Sequence, residues 1–467
     1  MQAAFERFKK ELAIVAYCPP ETEYECGGKF YPSKVTAVQY DRMKELGVNV
    51  VLGHELTKND ALNMTFRALA LCAERDMVYL VRPAEFREYL TLEKGKKYSE
   101  LSEERKRDLK ERFIKGLEKF AEYESFGGVN FIDEPGAASF EGIRAAKDAF
   151  LEKYPDKIFY VNMFQYFVTA KQYTSSDFQN YPINERYALP TKEENYLNFM
   201  TDYLNEVEPQ IYSYDLYPMS ALHGVLTNIN IGLYELQSLV MRELEKKNIP
   251  LWTFIQCGGK WEGAKTVRVP NFGECALMVN ASIAMGAKGI EFFPYCLPDV
   301  WTDDKMCDAG LIDENGDTTE RYDYFRALLR NVKAAEKDLM SAEYSGTALF
   351  GTFSGLMPKE EEIKKLPDAE CFFRGEYKNY QTPKNVYPIK EIKTTSQLIV
   401  GVFDKKTEKI FYAVNNSITD CLNATICLEK EYPVTVIRNG KTKTFTGDKI
   451  PLDFMTEGES ALIKIRL

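Results

Sequence analysis

Val129-Asn130-Phe131-Ile132-Asp133-Glu134-Pro135 is the stretch on which the fold reading of this 467-residue chain turns. An apolar run with strand character is closed by two adjacent carboxylates, and the proline forbids its continuation. Strand side chains alternate between two faces, so only one carboxylate of the pair points into a barrel. The other is left to orient a partner or to bind substrate. A strand ending in this way is how a parallel barrel presents an acid at its mouth.

Working outward, short β-rich segments at 12–17, 48–53, 77–82, 128–133, 157–163, 210–215, 251–256 and 288–293 alternate with longer amphipathic ones. The helix-like stretches are 34–46, 58–75, 99–124, 137–154, 191–207, 229–247, 271–285 and 318–338. Strand followed by helix, eight times over, predicts a parallel sheet closed into a (β/α)8 TIM barrel. Gly47, Gly286 and Gly289 stand where helices stop and strands start. Beyond about residue 340 the helices cease. Segments 347–353, 397–403, 409–415, 424–429, 435–438, 443–446 and 460–465 predict a C-terminal antiparallel β-sandwich. The expected domains are therefore a barrel over 1–340 and a sandwich over 341–467, with 358–388 as a proline-rich excursion.

Composition narrows the function. A formal charge of −10 with no offsetting basic patch argues against nucleic acid as a partner. Ten cysteines without a CxxC, and only two histidines, argue against zinc, so no metal or cofactor is expected. No stretch reaches the length of a membrane span. Reduced thiols and an N-terminus without an apolar leader suggest a cytoplasmic protein, or a secreted one whose signal peptide has been removed.

Chemistry in such barrels sits where the strands end. Strand two ends Gly53-His54-Glu55 and strand three Arg82-Pro83. Strand five gives Asn162-Met163-Phe164-Gln165 and strand six Tyr214-Asp215-Leu216-Tyr217. The seventh runs Trp252 to Gln256 into a loop with Trp261-Glu262; the eighth gives Glu291-Phe292-Phe293-Pro294-Tyr295, with Trp301 following. All three tryptophans and both histidines, His54 and His223, fall on the last two strands or in strand-following loops. That concentration points to a site on one face.

Flat aromatics beside carboxylates suit a sugar, whose C–H face stacks while its hydroxyls need charged and amide partners. Trp261 and Trp301 are the expected stacking platforms, with Tyr217, Tyr295, Arg82, His54 and Gln256 as further substrate contacts. Trp252 lies mid-strand and reads at least as well as barrel filling. Glycosidic cleavage needs two carboxyl functions. Glu134 is the expected acid, its longer arm reaching the leaving oxygen and its neighbour Asp133 resisting joint ionisation. A barrel isomerase or aldolase would want a strand-end lysine or metal cluster; the nearest lysine, Lys260, lies in a loop.

On these residues the chain resembles the clan-A type of (β/α)8 glycoside hydrolases, in which one glutamate ends strand four as acid/base and another ends strand seven as nucleophile. The resemblance implies cleavage of glycosidic bonds, an oligo- or polysaccharide substrate as partner, and Glu134 as acid/base. Two departures stand out. Asp133 occupies the place usually held by asparagine, and Gln256 stands where the nucleophile belongs. An amide cannot form the glycosyl ester, so the second carboxylate is expected from Asp215, or else from Glu291, with Glu262 weaker. The Asp133-Glu134 pair also resembles that of the family 20 hexosaminidases, and Tyr214-Asp215 that of family 18. Both resemblances imply substrate assistance by an acetamido group. A barrel that binds glycan without cleaving it is the remaining alternative.

Overall fold

The structure, a computed structural model, describes all residues except 1–3, 22, 27–28, 56–58, 91–95, 167, 176–180, 223–224, 227–235, 263–264, 298–306, 309 and 352–385. Eight parallel strands close into a barrel: β1 (Ala13–Ala16), β2 (Val50–Glu55), β3 (Val78–Arg82), β4 (Phe126–Asp133), β5 (Ile158–Met163), β6 (Tyr212–Tyr214), β7 (Leu251–Gln256) and β8 (Gly289–Phe293). Each coincides with an expected segment. Between and after them run α1 (Ala37–Leu46), α2 (Asn59–Ala73), α3 (Glu103–Ala121), α4 (Phe140–Lys153), α5 (Lys192–Glu206), α6 (Gln237–Glu245), α7 (Phe272–Ala284) and α8 (Glu320–Met340).

Local chemistry sets the helix ends. Thr36 caps α1 by accepting from the Gln39 amide, and Gly47, with φ of 94°, stops it by turning its N–H back to the carbonyls of Lys44 and Met43. Ser102 caps α3, and two glutamates in the first turn complement the helix dipole.

Strand alternation fills the barrel. Ala13 and Val15, Val50 and Leu52, Val78 and Leu80, Ile158 and Tyr160, Ile211 and Trp252 form one buried cluster with Ala4 and Phe8 of a short leading helix. Phe8 meets Trp252 edge-on at 5.7 Å and Tyr160 lies 6.1 Å from the same ring. Trp252 is core. Its place on the strand, two residues from the next inward position, made that reading available from sequence.

One irregularity matters for function. Between β4 and β5 the register runs Gly128–Ile158 and Asn130–Tyr160, then Ile132–Val161 and Asp133–Asn162. An extra residue in β4 thus shifts the phase by one. Unbroken alternation from Gly128 and Asn130 would carry Asp133 outward. The bulge instead pairs it with Asn162, the next inward position after Ile158 and Tyr160.

By compactness the chain divides into two units: Met1–Phe8, Ala13–Asp215 and Glu243–Phe254 form one, and Lys9–Leu12, Leu216–Arg242 and Ile255–Leu467 the other. In the second unit, loop segments Ser220–Leu222, Val225–Leu226, Gly259–Glu262, Lys265–Val267 and Cys307–Asp308, which follow β6, β7 and β8, pair into a small five-stranded sheet.

Also in the second unit is the C-terminal antiparallel sheet: β9 (Glu343–Phe350), β10 (Ile389–Thr394), β11 (Leu398–Asp404), β12 (Glu408–Asn415), β13 (Leu422–Arg438), β14 (Lys441–Met455) and β15 (Ser460–Arg466). As expected it is an antiparallel β domain, its seven strands hydrogen-bonded in one continuous path around a single buried cluster that draws on β10 to β15. The segments expected as separate strands at 424–429 and 435–438 are one strand, β13, with a register shift between Cys427 and Tyr432. β10 was not foreseen, because Ile-Lys-Glu-Ile-Lys-Thr reads as a solvated stretch and the strand buries only one side chain fully.

α7 packs against this sheet. A side chain at Gly401 would meet the Ala284 carbonyl oxygen at 2.1 Å, and Asn280 accepts from Tyr412 at 2.8 Å while donating to the Gly458 carbonyl at 2.8 Å. Most of the 358–388 excursion, with Phe372, Phe373, Tyr377 and Tyr380, lies outside the described residues.

Candidate active site

Where β1, β4, β5 and β6 end, the next inward positions change from apolar to polar. Tyr17 follows Ala16, Asp133 closes β4, Asn162 follows Tyr160 by two, and Asp215 follows Ser213 by two. They form one hydrogen-bonded rim. The Tyr17 hydroxyl donates to Oδ2 of Asp133 at 2.7 Å, and the Asn162 amide donates to Oδ1 at 2.9 Å. The same Asn162 nitrogen reaches Asp215 Oδ1 at 3.5 Å. Asn162 is itself oriented by the Ser213 hydroxyl, which donates to its Oδ1 at 3.2 Å and pairs with Tyr160 at 2.9 Å. Burial and the charge of Asp133 push the Tyr17 phenol well above its ordinary value, so it stays a donor.

Glu134 leaves the sheet. Its N–H still donates to the Asn162 carbonyl at 2.9 Å, but its φ of 46° is left-handed, a conformation costly for a residue with a Cβ. Strained backbone of this kind clusters at working sites. The turn breaks the alternation that would send adjacent carboxylates to opposite faces, and the Glu134 carboxyl joins the rim alongside Asp133.

Gln165, two residues past β5, completes the arrangement. With its amide turned so that the nitrogen faces the surrounding carboxyl oxygens, the donor and acceptors match. The nitrogen lies 3.2 Å from Glu134 Oε1 and 3.1 and 3.2 Å from the two oxygens of Asp215. Asp215 is only 8% exposed. Burial first, and the Asp133 charge second, raise its carboxyl to about 7, against the opposing pull of the hydrogen bonds from Glu134 and Asn162.

Other expected contacts have different occupations. Arg82 ends β3 with its guanidinium 5.3 Å over the Phe86 ring, and its charge acts on Tyr17 and His54. His54 bonds the Pro19 carbonyl at 2.8 Å through Nε2, and burial lowers its pKa, keeping it neutral. In the second unit, Gln256 accepts from the Met219 N–H at 2.9 Å and donates to the Arg268 carbonyl at 2.6 Å, bracing two loops. Tyr217 stacks on Phe293 at 5.0 Å. Glu291 and Tyr295 are wholly buried. The Trp261 backbone lies in the loop strand Gly259–Glu262, opposite Thr266. The side chains of Trp261, Glu262 and Lys260, and all of Trp301 and His223, fall outside the described residues.

Sequence reasoning overlooked Tyr17, Asn162, Ser213 and Gln165 as members of this cluster. For the first three a signal existed: a polar residue at the inward step of a strand whose preceding inward positions are apolar or aromatic. Gln165 stood with Asn162 at the end of strand five, but its contact with two acids depends on the path of the loop, which the sequence does not specify.

No family model matches the chain, and no curated protein matches its sequence. Solved structures do resemble it. A β-galactosidase from Bacillus circulans sp. alkalophilus aligns over 98% of this chain and 99% of its own, with TM-score 0.56 and 8% identity. A protein described as a glycoside hydrolase aligns over 97% and 92%, with TM-score 0.50 and 8% identity. A β-galactosidase from the psychrophilic Marinomonas ef1 shares 12% identity over 72% of this chain at TM-score 0.47, and this chain spans 62% of its length. At such identities the likeness is one of fold: this chain has the (β/α)8 barrel architecture with a C-terminal antiparallel sheet.

Proposed function

We propose that the protein is a glycoside hydrolase acting on oligo- or polysaccharides, with Glu134 as general acid/base and Asp215 as the second carboxylate. The observation that carries this reading is the shared Gln165 amide, within 3.2 Å of both carboxyls. Two carboxyls whose oxygens lie within 3.2 Å of one nitrogen favour a separation below the about 6.5–9.5 Å that an inverting pair leaves for water. They suit a retaining pair at about 5 Å, in which one group attacks the anomeric carbon and the other protonates the leaving oxygen.

Asp215 is preferred over Glu291, which is wholly buried within β8. Asp133 has both oxygens engaged, by Tyr17 and Asn162, and serves to fix the rim and supply charge. In the working form the pair's one proton stands on Glu134, which delivers it to the leaving oxygen while the ionised Asp215 attacks the anomeric carbon and the glycosidic C–O bond breaks. The barrel domain is taken as 1–340 and the β domain as 341–467, as the change from α8 to β9 supports.

A panel of aryl glycosides tests the reading. The chain is expected to turn over at least one of them. Glu134→Gln should keep the fold and lose about 10²–10⁴-fold in rate on a poor leaving group, with much of the rate recovered on one that needs no proton. Near-native activity of that variant on a poor leaving group removes Glu134 from the acid role. Binding without hydrolysis across the panel turns the assignment into a glycan-binding barrel.

A further inference from the structure

We propose that Gln165 is a positioning residue that gives one amide N–H to Glu134 and the other to Asp215, fixing their separation and the proton they share; the proposal rests on the hydrolase reading above. An NH2 group has two donors splayed in one plane, and here each has an acceptor, with Glu134 Oε1 at 3.2 Å and the Asp215 oxygens at 3.1 and 3.2 Å. The Gln165 backbone is held in turn, its carbonyl accepting from the Tyr173 hydroxyl at 3.0 Å.

The rim as a whole interleaves donors and carboxyls in the order Tyr17, Asp133, Asn162, Asp215, Gln165, Glu134. Asn162 bridges Asp133 to Asp215 as Gln165 bridges Asp215 to Glu134. Only the second bridge joins the two carboxyls assigned to the chemistry. Without it, two carboxyls this close together would meet unrelieved repulsion on ionising. The charged and titratable groups around this pair, among the described residues, are Asp133 from β4 and Tyr17 after β1. Arg82 of β3 acts through Tyr17, and His54 of β2 is neutral and bound to Pro19.

A donor to a carboxylate favours the ionised form, so removing it raises the titration of the pair. Gln165→Met keeps the chain length and loses both N–H groups. Its kcat/KM profile is expected to move to higher pH on both limbs by about one unit, with kcat down about 10–100-fold and KM within about 3-fold. Thermal unfolding should match the parent. Carboxyl ¹³C NMR titration of parent and variant reads the same displacement without any turnover. If the variant does not fold, Gln165→Leu takes its place in both measurements. Superimposable titrations and profiles overturn the proposal even when the parent hydrolyses glycosides. A parent inert on every glycoside defeats the hydrolase reading instead, and a displaced NMR titration would then still uphold the bridging role.

Discussion

Asp215 carries the largest electrostatic tension among the residues assigned to the chemistry. It is buried, it faces Asp133, and its carboxyl is raised to about 7. A raised carboxyl costs the fold nothing below its unfolded value of about 4 and its full amount once pH exceeds the folded value. Asp215→Asn should therefore be more stable than the parent at pH 8, by on the order of a few kcal/mol. The gain should fade as pH falls toward about 4. Denaturant titrations at the two pH values check this, and a gain independent of pH would contradict it. Activity should be lost in the same variant. At this scale the composition of the polar cluster was legible in part. Glu134 and Asp215 stood out because acids at abrupt strand ends are rare. The role of Asp133 did not, because it depends on an extra residue in β4 that only the pairing with β5 reveals. Nor did the left-handed turn at Glu134, which no neighbouring glycine advertises.

At the scale of elements, the contact of α7 with the C-terminal sheet is the closest approach on which a prediction can stand. Gly401 lies against the Ala284 carbonyl with no space for a Cβ, and Asn280 ties the helix to Tyr412, Ser460 and Gly458. Gly401→Val should force helix and sheet apart and cost about 3 kcal/mol or more. Urea unfolding followed by far-ultraviolet circular dichroism measures it, and a change within about 0.5 kcal/mol, that of a tolerant surface site, would contradict the packing. The barrel strands were legible because apolar runs of strand length are bracketed by helix-period segments. β10 was not, since an edge strand of alternating Lys, Glu and Ile resembles a loop. The polar Glu429-Lys430-Glu431 and Pro433 made β13 look like two strands, whereas a register shift carries one strand through them.

For the molecule as a whole, an eightfold strand–helix alternation and the end of helices near residue 340 were enough to foresee a barrel followed by a β domain. Whether that domain's strands form two sheets or one could not be read from segment positions, because long-range register has no local signature. Among the described residues no helix is long and apolar enough to cross a membrane. The function proposed for this architecture rests on a pair of acids that follow β4 and β6, joined by one amide from the end of β5, the strand between them. The most direct test is to treat the chain with the 2-deoxy-2-fluoro derivative of whichever aryl glycoside it turns over, then digest it and weigh the peptides. The account predicts one covalently bound sugar per chain, on Asp215. A label on Glu291 or elsewhere, or steady turnover with no trapped sugar, would contradict it.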